Sequence, residues 1–169
     1  MSAVIKTTTP FVVQTVLLSA LSELGYEPVL ITELNLNQYR QRGGLLVGDI
    51  LTNRNDYWGR QYFRKVNHTF LLNHDSDEIH AQIISKQYTS KNYKPVASFL
   101  QELENEYAVQ YQINLKHLAA IEREKLEEER VARVETTRRK VIAEAKAKGY
   151  LVKEKYVNGN IQLVCTRSV

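Results

Sequence analysis

Between Pro95 and Gly149 the chain contains no glycine or proline, and the later half of that interval, EREKLEEERVARVETTRRKVIAEAKA from Glu122 to Ala147, is charged at more than half its positions. A run without breakers reads as helix, yet a helix with so little apolar surface has little to bury. Placed at about 100° per residue, Leu100, Leu103, Tyr107, Tyr111, Leu115 and Leu118 lie within about 60° of one direction. Val131, Val134, Val141, Ile142 and Ala145 cluster on the opposite side. One straight helix cannot press both stripes on the same sheet, so the halves face different surfaces or the chain bends across residues 119–130. Unbroken from Pro95 to Lys148, the helix would be about 80 Å long against a body of about 35 to 40 Å, and would project as an arm. The pairs Glu129–Arg133, Glu135–Arg139 and Glu144–Lys148 have the i, i+4 spacing that supports a solvated helix. Thr136 and Thr137 mark the weakest point for a fold-back near Val134–Arg139, but no residue there makes a turn, so a continuous helix is expected.

The flanks frame this arm. VIKT from Val4 reads as a strand; Thr9 and Pro10 supply a helix entry, and Gly25 a left-handed exit, for a helix over Pro10–Leu24. YEPVLI and LLVGDIL read as strands around the polar loop NLNQYRQRGG, and RQYFRKV, HTFLLN and IHAQIIS as a further antiparallel meander. After the arm, YLVKEKYV and NIQLVCTR are joined by Asn158-Gly159, a strong hairpin signal. That turn sets Tyr156 opposite Ile161 and Val152 opposite Cys165 on an expected buried face. An isolated hairpin is marginal, so it is expected to join the core or a second copy. The predicted architecture is α+β: an antiparallel sheet with two helices packed on it in a core over 1–118, a charged helical arm over 119–148, and a C-terminal β-hairpin over 149–169.

Composition narrows the class. A chain of 169 residues, 43% apolar and 25% charged, belongs with globular proteins rather than disordered or fibrous ones. The net charge of +4 admits an anionic partner without requiring one. A single cysteine, Cys165, permits no internal disulfide, and its neighbours QLV point to a buried thiol in a reducing compartment. No signal-peptide pattern or membrane-length apolar run is present, so a cytoplasmic setting is expected, or its equivalent in a plastid stroma or a phage-infected host.

Several stretches together resemble an uncharacterised family, the hypothetical chloroplast reading frame thirty-five proteins, also called domain of unknown function 1257. IKTTT with LLSALSELGYEP is similar to that family's opening, QYFRKVNHTFLLNHDSD to its central strands, and FLQELENEYAV with AKAKGYLVKEKYVNGNIQLVCTR to its close. The resemblance covers about two thirds of the chain. It implies a fold and a lineage among plastids, cyanobacteria, other bacteria and phages, with no established activity or site residues. The long loop NLNQYRQRGG and the stretch from Tyr107 to Gly149 depart from the family pattern, which makes the charged segment resemble an insertion.

No stretch carries a recognised catalytic or cofactor signature, and no enzyme activity, cofactor or metal is expected. His68, His74 and His80 lie near Asp75, Asp77 and Glu78, a plausible ligand mixture at no recognised metal-site spacing; turn and strand-edge roles explain them. RGGLLVGD lacks the Lys-Ser or Lys-Thr of a phosphate loop. Two binding surfaces remain. The first is a protein partner or second copy gripped through Val131, Val134, Arg138, Arg139, Val141 and Ile142 on the arm. The second is an RNA or ribosome surface built from Arg40, Arg42, Tyr57, Trp58, Arg60 and Arg64, with Arg138, Arg139 and Lys140 assisting. Strand alternation counts against the second, because Tyr62 and Phe63 point to opposite faces and at least one belongs to a core.

Overall fold

The computed structural model describes residues 4–42, 44–57, 59–75, 92–157 and 160–167. In chain order these form β1 (Val4–Thr8), α1 (Gln14–Glu23), β2 (Val29–Leu30), a 3₁₀ helix (Leu36–Arg42), β3 (Ile50–Leu51), β4 (Gln61–Val66), β5 (Thr69–Asp75), α2 (Val96–Ala147), β6 (Tyr150–Val157) and β7 (Asn160–Arg167). The architecture is α+β. The chain divides into two compact units, Met1–Leu115 and Lys116–Val169, and α2 contributes residues 96–115 to the first and 116–147 to the second.

In the first unit a five-stranded antiparallel sheet has the order β1-β5-β4-β3-β2. The meander β2 to β5 follows the sequence reading, and β1 joins it by pairing with β5. The stretch LLVGDIL contributes only Ile50–Leu51 as strand. Its earlier part turns at Gly48 (φ 93), where Asp49 accepts the backbone N–H of Leu46 at 2.7 Å. The polar loop expected around NLNQYRQRGG contains the 3₁₀ helix. Asn35 sets its entry by accepting from the Thr32 N–H and donating to the Leu30 carbonyl. The expected strand IHAQIIS lies outside the described residues.

The first half of β4 is buried on both faces. Phe63 joins Phe11, Leu17, Leu21, Phe70, Leu72, Phe99 and Leu103 in the main core, under α1 and the start of α2. Tyr62 joins Ile31, Leu45 and Leu51 in a smaller cluster that the 3₁₀ helix residues Leu36 and Tyr39 flank.

Helix α1 begins four residues later than expected. Thr9 does not cap it; its hydroxyl donates to the Phe70 carbonyl, and the Phe70 N–H donates to Phe11, so residues 9–11 are held against β5. The helix entry is completed from far away in sequence. The Tyr107 hydroxyl on α2 accepts the backbone N–H groups of Val12 and Val13, just ahead of the first turn, at 3.1 and 2.9 Å. Tyr107→Phe should therefore cost about 1–2 kcal/mol in equilibrium unfolding, because it removes the acceptor while leaving the ring packed. The exit matches expectation: Gly25 (φ 81) donates to Ser22 and Tyr26 to Leu21, the paired bonds of a Schellman motif.

Helix α2 is one element of 52 residues, without a fold-back at Thr136, whose hydroxyl donates to the Ala132 carbonyl one turn back. Its core stripe is shorter than expected: Val96, Phe99, Leu103 and Tyr107 are buried and Tyr111 partly so, whereas Leu115 and Leu118 are exposed. In the second unit β6 and β7 pair in the expected register, Tyr156 with Ile161 and Val152 with Cys165. The expected burial of that face fails. Tyr156 and Ile161 are exposed, and so is the Cys165 thiol. Partial cover falls on Tyr150, Val152 and Leu163 of the same face.

Candidate functional site

The second unit is built on one seam. Along the end of α2, partial burial recurs at Glu135, Arg138, Ile142 and Ala145, the 3-4-3 spacing of one helical face. Opposite lies the hairpin face of Tyr150, Val152, Glu154 and Leu163. Arg138 ties the two: its guanidinium donates to both carboxylate oxygens of Glu154, with Nε at 3.2 Å, and to Glu135 at 3.0 Å. These carboxylates hold the Arg138 pKa above its usual value, Glu154 first and then Glu135. Arg139 also reaches Glu135 at 3.0 Å, and the two arginines hold that carboxyl below the usual range.

The seam fixes how the hairpin runs. Glu154 lies about 14 Å along β6 from Tyr150, and Arg138 about 14 Å back along α2 from Ala147. β6 thus returns antiparallel to the helix, and at these rises its far end comes level with residues 131–134. There the apolar surface is uncovered: Val131 is 54% exposed, Val134 50% and Tyr156 72%.

The proposed contact stripe is therefore split. Val131, Val134 and Val141 are exposed, while Ile142 is partly covered. Arg138, read from sequence as a partner-binding group, is occupied by the hairpin of its own chain. The Arg138–Glu154 tie is not legible in local spacing, because the pair is sixteen positions apart and meets only once the hairpin turns back.

The first unit contains a polar cleft of about 690 Å³, lined by Glu27, Tyr39, Thr52, Arg54, Arg60 and Gln61 among others. Arg54 forms its floor. With its side chain 1% exposed, the guanidinium donates to Asp56 at 2.8 Å, Gln61 Oε1 at 3.3 Å and the Lys94 carbonyl at 2.7 Å. It also lies 4.1 Å from the Phe99 ring centroid and 5.1 Å from that of Tyr57. The bonds from Arg54 and from the Thr52 hydroxyl orient the Gln61 amide oxygen and leave Nε2 buried without a partner. The short segment NRND, with a cation and a carboxylate two residues apart, was the available signal for this cluster.

Of the RNA-surface candidates, Tyr57 and Arg60 line the same cleft, although Tyr57 is buried and stacks near Tyr93 at 6.0 Å. Arg64 is committed to Asp49 at 2.6 Å and to the Gly44 carbonyl at 2.7 Å. Trp58 and the side chains of Arg40 and Arg42 lie outside the described residues. Of the histidine group, His68 is exposed in the β4–β5 turn and His74 is buried, its Nε2 3.0 Å from the Thr7 hydroxyl. His80, Asp77, Glu78 and the Asp75 side chain lie outside the described residues. Among the described residues no three His, Cys, Asp or Glu side chains are placed to share a metal ion, and no helix is long and apolar enough to cross a membrane.

No family model, curated protein or solved structure matches the chain.

Proposed function

We propose that this protein is a non-catalytic association module that acts through its helix–hairpin unit. The observation that carries the reading is the uncovered apolar surface at the far end of the seam, formed by Val131 and Val134 on α2 and Tyr156 on β6. These three exposed apolar groups lie at one end of a seam tied by charge pairs, and clustered apolar exposure is characteristic of a contact surface. The charged residues around it keep the unassociated chain soluble.

The RNA reading has weaker support, because Tyr57 is enclosed and Arg64 is spoken for, leaving no described row of stacking rings. Size-exclusion chromatography with light scattering tests the association reading. The full chain should run above monomer mass at micromolar concentration, and Val134→Lys with Val141→Lys should weaken association at least about tenfold, or about 1.4 kcal/mol, without loss of helical circular dichroism. A monomer at all concentrations up to about 100 μM, a range that would reveal even weak association, would count decisively against self-association.

A further inference from the structure

Resting on that association reading, we infer that the partner is a second copy of this chain, docked edge to edge through β7. The two strands of the hairpin differ in the way that matters for pairing. β6 carries Lys153, Glu154 and Lys155 in its middle, whereas β7 runs Ile161-Gln162-Leu163-Val164-Cys165-Thr166 with no charge. Natural sheets guard free edges with charged residues, lysine especially, with proline, or with a covering element. β6 has such a guard. β7 has none: among the described residues it pairs only with β6, its outer edge is open, and Ile161, Val164 and Cys165 are exposed.

Charge selects the occupant. Two β6 strands meeting about a two-fold axis would set Lys153 against Lys155 of the other copy, and like charges directly opposite are destabilising. A β6 edge meeting a β7 edge would leave a free edge at each end and continue without closure. Two β7 strands bring together neutral, β-branched and apolar residues. They close after two copies and give a four-stranded sheet in the order β6-β7-β7-β6.

The pleat then restricts the register. Directly opposed side chains share a face, and a two-fold axis perpendicular to the sheet preserves faces, so it must pass a residue opposite itself rather than fall between residues. Two centres use most of the strand, Leu163 and Val164. Centring on Val164 sets Arg167 against Ile161. Centring on Leu163 sets Ile161 against Cys165, Gln162 against Val164 and Leu163 against Leu163, leaving Arg167 outside the ladder. The second arrangement pairs only uncharged residues and places both copies of α2 on the same side of the joined sheet.

Disulfide trapping and light scattering on the full chain test this. Ile161→Cys in the native Cys165 background changes one exposed position, and the two thiols lie too far apart within one extended strand to bridge. Mild oxidation should convert it to a reducible covalent dimer, as should Leu163→Cys combined with Cys165→Ser, while Thr166→Cys with Cys165→Ser should remain largely uncrosslinked. Gln162→Lys with Val164→Lys, which sets two lysine pairs across the joint, should weaken dimerisation at least about a hundredfold with unchanged circular dichroism. A dimer that tolerates both lysines and traps neither designed pair overturns the β7 joint while leaving association through the helix–hairpin unit standing. A chain that is monomeric throughout overturns both.

Discussion

Arg54→Ala is expected to lower the free energy of unfolding by about 3–5 kcal/mol, the range for breaking a buried ion pair from one side. The substitution removes a guanidinium that is almost wholly enclosed. It leaves Asp56 with a partly buried carboxylate, the Gln61 amide oxygen with one donor fewer, and the Lys94 carbonyl without its 2.7 Å donor. It also opens space against the Phe99 ring. Urea unfolding followed by near-ultraviolet circular dichroism would measure the loss, and a change under about 1 kcal/mol would mean that the cluster contributes far less than a buried ion pair should.

The same cluster predicts a pH dependence. Burial pushes the Asp56 carboxyl upward, but the hydrogen bond and charge of Arg54, together with Tyr26 and Lys94, outweigh it and hold the group below its ordinary value. A carboxyl depressed in the folded state contributes stability above its unfolded pKa of about 3.9 and loses it as pH falls through the folded value. Without Arg54 the two leading contributions that lower the Asp56 pKa are gone, and the stabilisation that depends on its ionised form shrinks. The gap between wild type and Arg54→Ala should therefore be widest near neutral pH and narrow below about pH 4.

The second large effect separates two leucines on one helix. Leu103→Ala, at a position with 0% exposure in the main core, should cost about 2–5 kcal/mol. Leu118→Ala, at a position 54% exposed, should change stability by no more than about 0.5 kcal/mol. The pair tests where α2 leaves the core. Comparable losses at both positions would mean that Leu118 is covered in solution, and an effect at Leu118 that grew with protein concentration would place it in an interface.

Local chemistry was sufficient for much of this architecture. The absence of breakers after Pro95 determined one long helix, because nothing in that stretch could turn the backbone. Gly25 determined the exit of α1, because its left-handed conformation costs glycine no steric strain. The alternation of YLVKEKYV and NIQLVCTR around Asn158-Gly159 determined a hairpin and its register, since pairing across so short a connection leaves few alternatives. The displaced valine stripe was legible as well, as a matter of angle alone.

What remained depended on groups brought together from distant parts of the chain. Thr9 has the chemistry of a helix cap, but the carbonyl of Phe70 captured its hydroxyl, and the backbone leading into α1 is held instead by the Tyr107 hydroxyl from ninety-four and ninety-five positions away. Arg54 reads in sequence as a surface cation; the convergence of Tyr26, Tyr57 and Phe99 from three separate segments enclosed it. Cys165 sits among apolar neighbours, yet in the folded hairpin its thiol is in solvent. Sequence patterns specify which faces a helix or strand possesses, because periodicity is local. Which of those faces is covered depends on where the chain returns, and that is set only by tertiary packing.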